Sequence, residues 1–80
     1  MSSYRAFVEV LVKSVVENPD EVHIDEETEM GTRTFYVRVS QEDVGKVIGK
    51  SGRVVTAIRF VVSAVAAKSR EKAFVKIVTD

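Results

Sequence analysis

Cysteine is absent from this chain of 80 residues, which excludes a disulfide framework and a thiolate zinc site and leaves the fold to its apolar core. No stretch approaches the roughly 20 consecutive apolar residues of a membrane-spanning helix. The first residues lack a basic segment followed by an apolar run and a small-residue cleavage site, so the expected location is cytoplasmic and the expected partners include no membrane. Histidine occurs once, at His23, and proline once, at Pro19. Neither charge sign is in excess, with 12 basic and 12 acidic residues. Glycine is scarce as well: there are four, and three of them, Gly45, Gly49 and Gly52, crowd into one short stretch.

What is present is the composition of one ordinary soluble domain, 45% hydrophobic and 30% charged, spanning residues 1–80. A domain of this size buries only roughly 60 to 65% of the surface of its unfolded chain, so modest stability is expected. The charge balance conceals a split. Residues 1–43 carry four basic and ten acidic side chains, a net of −6, whereas residues 44–80 carry eight basic and two acidic, a net of +6. Such polarity suits an anionic partner on one surface, and also fits two solvated faces of opposite sign.

Apolar residues at Tyr4, Phe7, Val8, Leu11, Val12 and Val15 recur at helical spacing, with Ser2 or Ser3 as cap and Asn18-Pro19 as the stop. Val22 and Ile24 alternate with His23 and Asp25 as a short strand, and the acidic run Glu26, Glu27, Glu29 before Gly31 reads as the tip of a hairpin. Phe35, Val37 and Val39 alternate with Thr34, Tyr36 and Arg38 as the second strand. Ser40 and Asp43 have the spacing of a capping box, predicting a short helix from Gln41 with Val44, Val47 and Ile48 inward. A long helix follows from about Arg53 to Ser69, with Val54, Ile58, Val61 and Val65 as its core stripe. Val75 and Ile77 then alternate with Phe74, Lys76 and Val78 as a third strand. The predicted fold is α+β, in the order α-β-β-α-α-β. The first two strands form a hairpin, the two-helix crossover makes the third parallel, and the helices cover one face of this three-stranded mixed sheet.

The stretch Gly45-Lys46-Val47-Ile48-Gly49-Lys50-Ser51-Gly52-Arg53 therefore joins two helices. A tight loop there puts the backbone N–H groups of Lys50, Ser51, Gly52 and Arg53 at a helix N-terminus, where a phosphate is favoured. Gly45 and Gly49, four apart, leave one helix face almost bare. Gly45 to Ser51 reads G-x-x-x-G-K-S, one residue short of the nucleotide-binding P-loop, and it follows a helix where that loop follows a strand, so nucleotide hydrolysis is disfavoured.

Gly45-x-Val47-Ile48-Gly49-Lys50-Ser51-Gly52, with Ile58 beyond it, resembles the G-x-I-I-G-x-x-G pattern of the KH domain, whose helix-GxxG-helix clamps about four nucleotides of single strand. The element order is similar to that of the type II, bacterial KH arrangement. Asp43 to Lys50, Gly52-Arg53, Ala57-Ile58-Arg59 and Asn18-Pro19-Asp20-Glu21-Val22 resemble the small stand-alone bacterial KH proteins of the KhpA (YlqC-like) family, over nearly the whole chain. The resemblance implies single-stranded RNA as partner, no cofactor or metal, and a role as a post-transcriptional regulator linked to cell elongation and division. It makes Gly49, Lys50, Ser51 and Gly52 the backbone-gripping loop, with Lys46 and Arg53 adding charge and Gly45 leaving room for the strand. Val47, Ile48 and Val54 are either aliphatic base contacts or plain core residues.

Opposite the core stripe of the long helix, Thr56, Phe60, Ser63 and Ala67 recur at spacings of four, three and four, making the helix apolar or small nearly all round. So short a chain has little left to cover that side, which predicts two-fold pairing in a homodimer or pairing with a related KH subunit. The family resemblance implies the same, including pairing with the larger Jag-type KH protein, KhpB. An assembly subunit with little RNA affinity of its own is the competing reading. His23 has no second histidine or cysteine to join it, and Asp25, Glu26, Glu27 and Glu29 lack the ligand spacing of a calcium loop. No acid, base or metal set for an enzyme is visible.

Overall fold

The computed structural model describes residues 3–79. It runs α1 (Ser3–Lys13), β1 (His23–Glu29), β2 (Thr32–Arg38), α2 (Val44–Ile48), α3 (Arg53–Lys68) and β3 (Lys72–Ile77), with 3-10 turns at Pro19–Glu21, Gln41–Asp43 and Lys50–Gly52. The cap expected at Ser2 lies outside the described residues, as does the side chain of Ser3. The order is the α+β order read from the sequence. β1 pairs antiparallel with β2, β2 pairs parallel with β3, and the sheet order is β1-β2-β3.

Strand alternation decides which side chains face the helices. Ile24, Phe35, Val37, Ala73 and Val75 are buried on that side, and in register Phe35 stands beside Glu26 on β1 and Val75 on β3. Val8 and Val12 of α1, Val47 of α2, and Ile58, Val62 and Ala66 of α3 close over them into one core. Phe35 is fully buried at its centre. Burial of one such side chain contributes about 1.5–3 kcal/mol, a large share of the stability available to a domain this small.

Four local expectations are corrected. α1 ends at Lys13, well before Asn18-Pro19. After it the Ser14 hydroxyl donates to the Leu11 carbonyl, and the backbone N–H groups of Glu17 and Asn18 turn to the carboxylate of Asp43 in place of helix carbonyls. The acidic run is no hairpin tip: Glu26, Glu27 and Glu29 lie within β1, and the turn is made at Met30 and Gly31, both with positive φ. Ser40 makes no side-chain cap, because Asp43 is buried and spent on the end of α1. The core stripe of α3 is Val55, Ile58, Val62 and Ala66, with Val61 turned outward to solvent and Val54 and Val65 at the margins.

Arg33 ties the hairpin to the rest. Its Nε donates to Glu71 Oε1 at 2.9 Å and its second nitrogen to Glu26 Oε2 at 2.7 Å, while the guanidinium carbon stands 5.2 Å from the centroid of the Tyr4 ring. The hydrogen bonds it donates to Glu26 and then to Glu71 hold the guanidinium above its ordinary range. Pairing at the end of the sheet thus joins β1, β2, α1 and the start of β3.

Candidate nucleic-acid interface

The turn between α2 and α3 has a backbone that few residues can adopt. Gly49 has φ +79° and ψ 171°, a region open essentially to glycine alone. A side-chain carbon there would also overlap Val54 Cγ2 and stand 2.8 Å from the Val54 backbone nitrogen, so glycine is required twice over. Ser51 (φ +57°) and Gly52 (φ +73°) are both left-handed, and a side chain on Gly52 would meet nothing within 4 Å. The Gly49 N–H donates to the Gly45 carbonyl at 2.8 Å, closing α2. Two of the four N–H groups expected to face a phosphate are used inside the loop: Gly52 donates to the Gly49 carbonyl at 3.1 Å and Arg53 to that of Lys50.

Around this turn Lys46, Lys50, Ser51 and Arg53 are exposed. None of the three cations forms an ion pair with a carboxylate among the described residues. Gly45 lies on α2 with open space where a side chain would stand, whereas Val54 fills that place at Gly49, so the bare face expected from the two glycines is open at Gly45 alone. Ile48 and Val54 are half-buried and keep an outward edge, whereas Val47 is fully buried and supports the groove from behind without reaching a base. The arrangement offers three positive side chains, a hydroxyl and an unobstructed helix face to a polyanionic strand. Phosphates fix such a strand in place, and base edges against Ile48 and Val54 would discriminate sequence.

The site's hidden support is Asp43. Its carboxylate accepts the N–H of Glu17 at 3.1 Å, the N–H of Asn18 at 3.0 Å and the Asn18 side-chain amide at 3.1 Å. Burial pushes its pKa upward, but these hydrogen bonds and the charge of Lys46 outweigh burial and hold it below the ordinary aspartate value. Asp43 immediately precedes α2, so the chain leaving α1 is fastened to the helix that delivers the loop. The sequence reading makes Asp43 a local cap, and its place at the end of the polar run Ser40-Gln41-Glu42 does not distinguish it from its exposed neighbours Gln41 and Glu42.

The remaining predicted residues fall elsewhere. Thr56, Phe60, Ser63 and Ala67 are all exposed on the outer side of α3, Phe60 at 74%. An open cleft of about 570 Å³ lined by Ser51, Arg53, Thr56, Ala57, Phe60 and Val61 makes this apolar face continuous with the loop. Ser63 is partly committed inward, its hydroxyl reaching the Ala73 carbonyl at 3.4 Å, and Arg59 Nε donates to the Val75 carbonyl at 2.9 Å. These two side chains pin α3 along the free edge of β3, a contact the sequence did not announce. His23 is exposed beside Arg38 on β1's partner strand. Asp25, Glu27 and Glu29 point to the opposite face from Glu26, so the four carboxylates do not converge on a cation. Among the described residues no group of three His, Asp or Glu side chains is placed to hold a metal, and no helix is long and apolar enough to cross a membrane.

A helix, a GxxG turn and a second helix set on a sheet of this order and pairing define a type II KH domain. The family model described as "KhpA/KhpB, KH domain" matches residues 5–77, and the chain belongs to that family. It is similar to the RNA-binding protein KhpA of Clostridium perfringens, 43% identical over 74 residues that cover 92% of this chain and 99% of the relative. The RNA-binding protein KhpA of Mycobacterium tuberculosis is 47% identical over 58 residues, covering 72% of each chain. That of Chlamydia trachomatis is 34% identical over 76 residues, covering 95% of this chain and 97% of the relative.

Proposed function

We propose that this chain is a non-enzymatic single-stranded RNA-binding protein that grips the RNA backbone with Gly49, Lys50, Ser51 and Gly52. The observation that carries the reading is the loop itself: a backbone conformation that glycine must supply, presenting Lys50 and Ser51 outward between Lys46 and Arg53. Relatives bearing the name RNA-binding protein support it. Gly45 leaves the path clear, Ile48 and Val54 border the bases, and Val47 holds the helix beneath them. The reading extends to a dimer through Thr56, Phe60, Ser63 and Ala67, which would present two loops to one RNA and raise weak single-site affinity. It also extends to the cytoplasm and to post-transcriptional action linked to cell elongation and division.

Changing Lys50→Asp together with Ser51→Asp tests the clamp. Asp tolerates the left-handed backbone of position 51 better than most residues, and both glycines remain, so the fold is expected to persist by circular dichroism. Affinity for single-stranded RNA should disappear. In the wild type, two or three neutralised phosphates give a slope of log affinity against log salt of about −1.5 to −2. A folded double variant with unchanged RNA affinity removes the site.

The exposed Phe60 face favours a second reading, an assembly subunit whose larger KH partner, of the KhpB kind, supplies most of the RNA contact. RNA affinity that arises only when such a partner is added, and is lost with Phe60 variants alone, decides for it.

A further inference from the structure

The side of the sheet turned away from the helices carries three rows of side chains in register. β1 contributes Asp25, Glu27 and Glu29, β2 contributes Thr32, Thr34 and Tyr36, and β3 contributes Lys72, Phe74 and Lys76. Phe74 is 52% exposed, has a lysine two residues away on either side, and stands beside the short side chain of Thr34. An aromatic ring left open on a strand between two cations has the make-up of a base-stacking platform, in which the ring takes a base and the cations take the flanking phosphates. We propose that Lys76, Phe74 and Lys72 form a second contact for single-stranded RNA, receiving the same strand beyond the Gly49–Gly52 loop; the proposal rests on RNA being the ligand of that loop.

The fold places this strip downstream of the loop. Arg59 bonds the Val75 carbonyl and Ser63 the Ala73 carbonyl, so α3 runs antiparallel beside β3 and its N-terminus lies at the C-terminal end of that strand. α2 packs against β3 as well. From Arg59 back to Gly52 the helix rise amounts to roughly 10 Å. A strand leaving the loop and turning around the edge of β3 meets Lys76 first, then Phe74, then Lys72, and at Phe74 it runs beside Ser63 and Ala67 of α3, which line one cleft with Phe74 and Lys72.

Charge supports a polyanion here. Glu71, the acidic residue adjoining the strip, is bonded to Arg33 at 2.9 Å, and Lys68 and Arg70 precede it. The acidic row of β1 lies two strands away, roughly 9–10 Å, about one Debye length at physiological salt. Within that row Glu27 accepts the Tyr36 hydroxyl at 3.0 Å. The carboxylates therefore confine an RNA strand to β3 and oppose its spread across the sheet. A second copy, laying its acidic row on this basic one, is the rival occupant.

The experiment compares binding of a tetranucleotide with binding of a single strand roughly three times as long, since the clamp itself spans about four nucleotides. Phe74→Leu keeps an apolar strand residue and removes the ring. With its sedimentation as in the wild type, it should weaken binding of the longer RNA by roughly five- to a hundred-fold and leave the tetranucleotide unchanged. Phe74→Trp, which introduces the sole tryptophan of the chain, should keep full affinity and show fluorescence quenching by the longer RNA alone. Wild-type affinity of Phe74→Leu for both RNAs overturns the proposal, and a shift in its sedimentation with RNA binding unchanged assigns the face to a second copy. Should Lys50→Asp with Ser51→Asp bind the tetranucleotide as wild type does, the loop reading fails and the strip with it. Tetranucleotide binding that needs the loop, beside longer-RNA binding indifferent to Phe74, defeats the strip alone.

Discussion

Gly45 within α2 and Gly49 just past its end are four residues apart and have opposite reasons to be glycine. At Gly49 both backbone angle and space are constrained, since φ is +79° and Val54 occupies the place of a side chain. Gly49→Ala should destabilise the fold by about 1–3 kcal/mol. At Gly45 nothing lies within 4 Å, so Gly45→Ala should leave stability unchanged or raise it by up to about 1 kcal/mol. Gly45→Leu should fold equally well and lose RNA affinity by obstructing the helix face. Thermal melts paired with RNA titrations of the three variants separate the glycine that shapes the loop from the one that clears its approach. A Gly45→Leu protein that binds RNA normally would show that the strand does not pass over α2.

Between elements, the tie that matters most is Asp43, because it holds the end of α1 against the start of α2 by three hydrogen bonds. Its pKa is lower in the folded than in the unfolded chain, so its contribution is full above the ordinary aspartate value and is lost as pH falls through the depressed one. Asp43→Asn keeps the shape but replaces one acceptor oxygen with an amide that faces donors. Its melting temperature at neutral pH should fall by roughly ten degrees. The variant should also lack the part of the wild type's acid destabilisation that appears below about pH 4. Equal pH profiles for the two proteins would remove Asp43 from that role. The same carboxylate shows where sequence reading stops. Element order was legible because alternation at Phe35, Val37 and Val39 and three-four spacing from Tyr4 to Val15 have different periods. The end of α1 was not legible, because the helix closes locally at Ser14 and Val15 ahead of Pro19, and the segment beyond is held by Asp43, 25 positions away from Asn18. The phase of α3 was also ambiguous: Val54, Ile58, Val61, Val65 and Val55, Ile58, Val62, Ala66 both satisfy helical spacing in a helix that is apolar nearly all round. Packing chose the second set by drawing Val54 toward Gly49 and fixing Arg59 and Ser63 on β3. The loop was the most legible part of the site, because its glycines are demanded by local geometry. Val47 was legible only as apolar, since its burial depends on what lies beneath α2.

For the whole molecule the open question is the outer side of α3, where Phe60 stands exposed beside Val61. Equilibrium sedimentation of the wild type at tens of micromolar should show a dimer, and Phe60→Glu should return it to monomer with its circular dichroism intact. A wild-type monomer at that concentration rules out self-pairing and leaves this face to a different subunit. The parallel pairing of β2 with β3 has a further consequence for a chain made from its N-terminus onward. The loop and both of its helices are complete by Lys68, yet Val47, Ile58, Val62 and Ala66 pack against a floor that lacks Ala73 and Val75 until β3 arrives. Such sequence-distant pairing forms late and slowly. A nascent chain thus carries every residue of the proposed RNA clamp before it can hold them in place, and binding through that loop is expected only once the final strand of the sheet has paired.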